Sequence, residues 1–135
     1  AAFIAERLNL PMQYIRKKSK GFGRDARIEG DIQKGQRILL VEDLTTDGGS
    51  KLNFAEAIRD AGAEVRHTFV IFYYDIYKNT ISILNEKDLR LHYLVTWWDM
   101  LSLAKKTNKF DSKTIDTVED FLNNPIDWSQ KNGGN

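Results

Sequence analysis

Residues 38–50 read ILLVEDLTTDGGS, and two kinds of chemistry share that short span. Glu42 and Asp43 are adjacent acids placed directly after four apolar residues. Leu44, Thr45, Thr46, Asp47, Gly48, Gly49 and Ser50 follow, with hydroxyls, paired glycines and the start of a helical pattern. Glycine admits the positive-φ conformations that aim successive backbone N–H groups into one hollow. A helix start adds unpaired N–H donors and the positive end of its dipole. Such a donor set suits a phosphate monoester. The two acids cannot ligate a phosphate, but they accept hydrogen bonds from neighbouring hydroxyls or hold a metal. Read together, the two halves of the span would recognise a phosphorylated sugar, donors on the phosphate and acids on the diol.

The elements that must position this span are an alternation of short apolar runs and helical patterns. The opening AAFIAERLNL reads as a helix entered partway, with no capping residue before it. It predicts that the chain is the C-terminal portion of a longer one. Residues 12–16 form a short strand. Residues 17–35 are basic and glycine-punctuated, without a period. Residues 37–42 are a continuous apolar strand, the pattern of burial on both faces. A helix over 50–60 places Leu52, Ala55 and Ile58 on its apolar side, with Gly62 as the stop. Strands over 64–74 and 89–96 and helices over 80–86, 97–106 and 112–124 complete the series, the last helix stopped by Pro125. The alternation predicts an α/β fold, a parallel sheet of four or five strands flanked by helices, in one domain over 1–128 with a frayed tail over 129–135. In open sheets of this kind ligands bind at the carboxyl ends of strands, where Glu42 and Asp43 stand.

Composition narrows the function. The 135 residues are 41% apolar and 29% charged, with a net charge of +1, so an anion site must be local rather than a general polyanion affinity. There is no cysteine, which removes disulfide and thiolate chemistry. No apolar run approaches the roughly 20 residues of a membrane span. His67 and His92 lie in strand patterns and read as packed or edge residues, and two histidines without cysteine make no zinc site. The aromatic residues Phe72, Tyr73, Tyr74, Trp97 and Trp98 read as core and interface. The basic run from Lys17 to Arg27 lacks the interleaved aromatics of a nucleic-acid surface, having Phe22 alone. A Walker-type loop is excluded, because its lysine precedes the serine and here Lys51 follows it. A receiver domain would need an acceptor aspartate one strand–helix unit later than Asp75 and a lysine ending the last strand, where Thr96 and Trp97 stand.

LLVEDLTTDGGS resembles the phosphoribosyl pyrophosphate motif of the type I phosphoribosyltransferases. YIRKKSKGFG, residues 14–23, is similar to the flexible loop of orotate phosphoribosyltransferases, and IEG (28–30) and FLNNPIDW (121–128) also look like that family. The likeness spans Phe3 to about Trp128 and implies a type I phosphoribosyltransferase fold lacking its N-terminal segment. It implies transfer of phosphoribose from phosphoribosyl pyrophosphate to orotate, giving orotidine 5′-phosphate in pyrimidine synthesis. It places Arg16, Lys17 and Lys20 on the pyrophosphate, Glu42 and Asp43 on the ribose hydroxyls, residues 44–50 on the 5′-phosphate and Thr46 also near the pyrimidine. Asp43, Lys17 and Lys20 carry the catalytic roles. Magnesium comes on the pyrophosphate and not through protein ligands. A cytoplasmic homodimer without nucleic-acid or membrane partners is implied as well.

Two positions depart from the pattern. Phe22 replaces the loop's common histidine, and Ile76 follows Asp75 where many members carry the arginine that binds the orotate carboxylate. Both bear on the base more than on the sugar phosphate. The alternatives are a transferase for another base and a non-catalytic sensor of phosphoribosyl pyrophosphate that controls transcription. The loop lysines and the lack of a basic DNA-binding face favour the enzyme.

Overall fold

The computed structural model describes residues 1–16 and 27–133. The chain opens with α1 (Ala2–Leu8), and β1 (Tyr14–Ile15) then pairs antiparallel with β2 (Ile28–Glu29). β3 (Arg37–Thr45), α2 (Gly49–Asp60), β4 (Glu64–Tyr73), α3 (Thr80–Glu86) and β5 (Arg90–Thr96) follow, and then α4 (Trp97–Thr107), α5 (Ser112–Asn123) and α6 (Pro125–Lys131). β3, β4 and β5 form a parallel sheet in that order. Thr45 lies opposite Tyr73, and Tyr73 opposite Thr96, so the three strands end level. That level edge is where the connections to α2 and α4 leave the sheet.

The α/β class agrees with the sequence, and α3 has the predicted bounds. α2 packs on β3 and β4 to form the core of Leu40, Phe54, Ala55, Ile58, Ala63, Val65, Leu84 and Leu89. Full burial of a side chain such as Ile58 or Leu84 contributes on the order of 2–3 kcal/mol. Gly62 stops α2 as predicted. At φ +87° it allows Gly62 N–H to reach Arg59 O (2.8 Å) and Ala63 N–H to reach Ile58 O (3.2 Å), the paired bonds of a left-handed helix end.

Several expectations are corrected. The described residues hold three parallel strands, not four or five, with the other two strands forming the separate β1–β2 pair. β2 lies inside the stretch read as having no structure. β3 is not buried on both faces: Leu39 is 50% exposed, and Ile71 and Leu94 on the neighbouring strands are 54% and 69% exposed. Helices still reach all three strands: α2 packs on β3 and β4 where Leu40 and Val65 are buried, and α3 and α4 pack on β5. The apolar side of α2 is as expected at Ala55, Ile58 and the half-buried Leu52, which packs against the core, but its buried residues also include Lys51 and Phe54. Pro125 does not merely end α5. It is the first residue of α6, where its missing N–H costs nothing, and that helix carries Ser129–Lys131 of the tail expected to fray.

Candidate functional site

The acids do not stand in the turn. β3 continues through Glu42, Asp43, Leu44 and Thr45, held by pairing of Leu44 with Phe72 and Thr45 with Tyr73, so the connection is only Thr46–Gly48. Alternation along a strand sends adjacent side chains to opposite faces. Glu42 is accordingly drawn in beside α2, while Asp43 is exposed and its Oδ1 accepts a hydrogen bond from Leu44 N–H at 2.8 Å.

The turn closes on Gly48, which caps α2 at φ 84° and ψ −5°. A Cβ there would stand 3.2 Å from Leu84 side-chain carbons, so both the backbone conformation and the packing of α3 demand glycine. Gly49 is different: its Cβ would meet only the Asp47 carboxylate, at 3.5 Å. Asp47 Oδ1 accepts from Gly49 N–H at 3.0 Å and more weakly from the Thr46 hydroxyl at 3.5 Å. The carboxylate of Asp47 thus sits where the donors of the helix start converge. Thr45 is buried, and its hydroxyl has no partner among the described residues. Thr80, at the head of α3, donates to Tyr77 O (3.1 Å) and Thr46 O (3.4 Å), tying that helix to the turn.

Lys51 is the residue of this site that sequence reasoning missed. It is 2% exposed. Its Nζ donates to Leu44 O at 2.6 Å and to Ser50 Oγ at 3.2 Å, and it forms an ion pair with Glu42 Oε2. Glu42 Oε2 is itself buried and has no hydrogen-bond partner among the described residues beyond that charge contact. The signal was present: Lys51, Phe54, Ala55 and Ile58 follow i, i+3, i+4, i+7, which puts the lysine on the apolar face.

The other predicted residues divide. Arg16, at the end of β1, pairs through its guanidinium with Glu29 of β2, and its N–H donates to Arg27 O at 2.7 Å. Arg27 in turn bonds the Asn53 side chain, which fastens the base of this basic arm to α2. Lys17, Lys20 and Phe22 lie outside the described residues. Thr45, Thr46, Asp47, Gly48, Gly49 and Ser50 are brought together with Glu42, Asp43 and Leu44 at the carboxyl edge.

Beside them at the end of β4, Asp75 has φ 53° and its carbonyl accepts from Trp98 Nε1 at 2.8 Å. Loss of surrounding water, and to a lesser degree the charge of Asp99, raises the Asp75 carboxyl above the ordinary carboxylate value, against a hydrogen bond from Tyr73 that lowers it. Burial likewise raises the Tyr73 hydroxyl. Phe72, Tyr74 and Trp97 pack edge to face, with ring centroids 5.2–5.9 Å apart. His67 and His92 pair on adjacent strands, Nδ1 to Nε2 at 3.0 Å. They border a concavity of about 920 Å³ that includes Arg37 and Glu64, the first residues of β3 and β4. That hollow lies at the amino ends of the strands and not at the edge where ligands of such sheets bind.

No protein-family model matches the chain. It is 57% identical over 132 residues to an orotate phosphoribosyltransferase of Ruegeria sp. (strain TM1040), covering 98% of this chain and 58% of that protein. The chain spans a little over half the length of the curated relatives it matches. Among solved structures, the UMP synthase of Leishmania donovani is 30% identical with a TM-score of 0.75, covering 90% of this chain and 26% of that one. The orotate phosphoribosyltransferase of Mycobacterium tuberculosis H37Rv, in complex with 5-phospho-α-D-ribosyl 1-diphosphate, is 26% identical with a TM-score of 0.54, covering 69% of this chain and 54% of that one. The fold is that of the phosphoribosyltransferases. Within that class, the sequence is similar over nearly its whole length to orotate phosphoribosyltransferase.

Proposed function

We propose that the chain carries the phosphoribosyl pyrophosphate site of an orotate phosphoribosyltransferase, acting in pyrimidine nucleotide synthesis. The reaction transfers phosphoribose to a nitrogen of orotate, giving orotidine 5′-phosphate and pyrophosphate. The observation that supports this most is the connection from β3 to α2. It lies on the level carboxyl edge, turns on a left-handed glycine and leads into a helix start that its own N-cap residue does not close.

On this reading the 5′-phosphate takes the donors of residues 44–50, displacing the Asp47 carboxylate from Gly49 N–H. Asp43, exposed beside the turn, accepts from the ribose hydroxyls, and Glu42 contributes through the oxygen that Lys51 does not hold. As the bond to pyrophosphate lengthens, positive charge grows on the ribose, and a fixed carboxylate such as Asp43 stabilises it without reorganisation. Lys17 and Lys20 are assigned to the departing pyrophosphate, and Arg16 joins them by exchanging Glu29 for it. Basic side chains over the pyrophosphate would also exclude water from a reactive cation.

Magnesium fits as a partner of the pyrophosphate. Among the described residues no three metal-ligating side chains converge, and Glu42 is committed to Lys51. Bound there, the ion would neutralise part of the leaving group's charge. A homodimer and a cytoplasmic location belong to the same reading. Among the described residues no helix is long and apolar enough to cross a membrane. A second reading, transfer to another base, draws on Ile76, an apolar residue where an arginine for the orotate carboxylate would stand.

The test is calorimetric titration of the chain with phosphoribosyl pyrophosphate and magnesium, followed by release of pyrophosphate on adding orotate. Saturable binding should appear, and Asp43→Asn should weaken it about tenfold, the scale of one hydrogen bond to a charged group. Absence of binding, or an Asp43→Asn variant that binds as the wild type does, would overturn the assignment. Binding with pyrophosphate released by a different base would move the reading to that base.

A further inference from the structure

A lysine on the buried face of a helix is costly, because its ammonium must be stripped of water. Lys51 stands on the face of α2 where Phe54, Ala55 and Ile58 build the core. Replacing a buried ion pair with apolar residues of similar volume is commonly neutral or stabilising. The fold alone therefore gives little reason for the Lys51–Glu42 pair. Its three contacts give another.

An ammonium has three N–H donors and no acceptor. Here two of them meet Leu44 O and Ser50 Oγ, and the charge itself pairs with Glu42 Oε2. These three partners are the first acid of the span, a backbone carbonyl at the end of β3 and the hydroxyl at the head of α2. Lys51 therefore ties both ends of the connection to a single charge. The contact with Ser50 has a direction. Because Ser50 Oγ accepts from a cation, its hydroxyl hydrogen points away from that contact, and a bond it gave outward would come from a donor polarised by the charge behind it. Ser50 is exposed, so the outward partner of that hydrogen is solvent or a ligand at the helix start. On the other side, Glu42 Oε2 is fixed in place, which leaves the exposed Asp43 as the acid of the pair without an ion pair among the described residues.

We propose that Lys51 is a positioning residue of the site: it holds Glu42 and the Leu44 carbonyl and sets the Ser50 hydroxyl as a donor to the 5′-phosphate of the bound sugar. This rests on the phosphoribosyl pyrophosphate reading above and adds to it a buried charge that acts through Ser50 rather than on the substrate.

The test is a thermodynamic cycle on binding of phosphoribosyl pyrophosphate with magnesium, measured by calorimetry for Lys51→Met, Ser50→Ala and the two together. Methionine keeps the apolar stem and removes the charge. A parallel set carries Glu42→Gln throughout, so that an unpaired buried carboxylate is not what disorders the site. Each single substitution should weaken binding about tenfold, and the pair should be no more than about twofold weaker than either, because contacting residues couple. Additive losses would overturn the route through Ser50 and reduce Lys51 to a structural part. Unchanged affinity in Lys51→Met would overturn the role altogether. A wild-type chain that fails to bind would overturn the phosphoribosyl pyrophosphate reading and this inference together. A wild type that binds, with variants that behave additively, overturns this inference alone.

Discussion

Of the helices that follow the carboxyl edge of the sheet, α2 and α4 have first turns built in opposite ways. α4 closes itself. Thr96 Oγ1 accepts from Asp99 N–H at 3.2 Å, and Asp99 Oδ2 accepts from Thr96 N–H at 2.8 Å and from the Thr96 hydroxyl at 2.7 Å, a complete reciprocal cap. α5 does part of the same, with Asp111 accepting from Thr114 N–H at 2.8 Å. α2 has glycine at its N-cap, so no side chain can serve there, and Asp47 reaches only Gly49 N–H from one position earlier. In place of a cap, α2 carries a buried charge beneath its first turn. A helix whose donors are already satisfied offers an anion nothing. With a left-handed glycine as N-cap, α2 has no N-cap side chain over its first turn: Lys51 N–H rests on the Gly48 carbonyl at 3.0 Å and Gly49 N–H on Asp47, a contact that an anion would displace.

The sharpest way to break this contrast is to make the turn of α2 ordinary. Gly48→Ala forces a side chain into φ +84° and brings its Cβ to 3.2 Å from the fully buried Leu84, which must shift to admit it. The strained backbone costs about 1–2 kcal/mol and the contact adds to it, so the loss should be roughly 2 kcal/mol or more. Differential scanning calorimetry should record a fall in Tm of roughly 5–10 °C. A Tm within one degree of wild type would mean that the turn is not held as described.

The self-closed helix should respond more mildly and in a different observable. Thr96→Ala removes the cap of α4 and should cost about 1 kcal/mol, with phosphoribosyl pyrophosphate binding unchanged. Its pH signature is specific. The side-chain hydrogen bond from Thr96, then its backbone bond, holds the Asp99 carboxyl below the ordinary 3.8. A carboxyl lowered in the folded state stabilises above its unfolded value, and that contribution disappears as pH falls through the folded value. Urea unfolding at a series of pH values should therefore show the wild type losing stability below pH 3.8 more steeply than Thr96→Ala. Parallel curves would remove Asp99 from the account.

How much of this was legible in the sequence differs between the two regions for the same physical reason. The glycines and hydroxyls of residues 45–50 declare a turn because each type has a narrow backbone or hydrogen-bonding role. The strand leading into it was cut short at Glu42, since hydropathy drops where the acids begin. The ladder with β4 carries β3 on to Thr45 regardless of side-chain polarity. Lys51 was passed over because lysine is ordinarily a surface residue, although its spacing from Phe54 and Ile58 put it inside. Arg16 was read by its charge alone, and charge does not reveal that Glu29 on the neighbouring strand already holds it. Pro125 was read as a stop when the same fixed φ starts α6. The end of β3 and the pairing of Arg16 are decided by partners on neighbouring strands, whereas Lys51 and Pro125 follow from local spacing and a fixed φ.

The smallest expected effect on stability makes the finest test of the contrast. Gly49 differs from Gly48 in needing nothing from glycine on the protein's own account: its φ is not in the left-handed region, and its Cβ would only touch Asp47 at 3.5 Å. It is also the first residue of α2, where alanine is a better helix former than glycine. Gly49→Ala should thus leave Tm nearly unchanged, within about 0.5 kcal/mol in either direction. If the hollow at the helix start exists to admit a phosphate, the added methyl group stands where that phosphate must approach the backbone. Binding of phosphoribosyl pyrophosphate should then weaken about tenfold, a loss of about 1.4 kcal/mol from contacts that the free protein does not make. Stability and affinity would separate at one residue. A Gly49→Ala protein that folds and binds like the wild type would mean that the glycine answers to neither, and that the open start of α2 is not where the sugar phosphate sits.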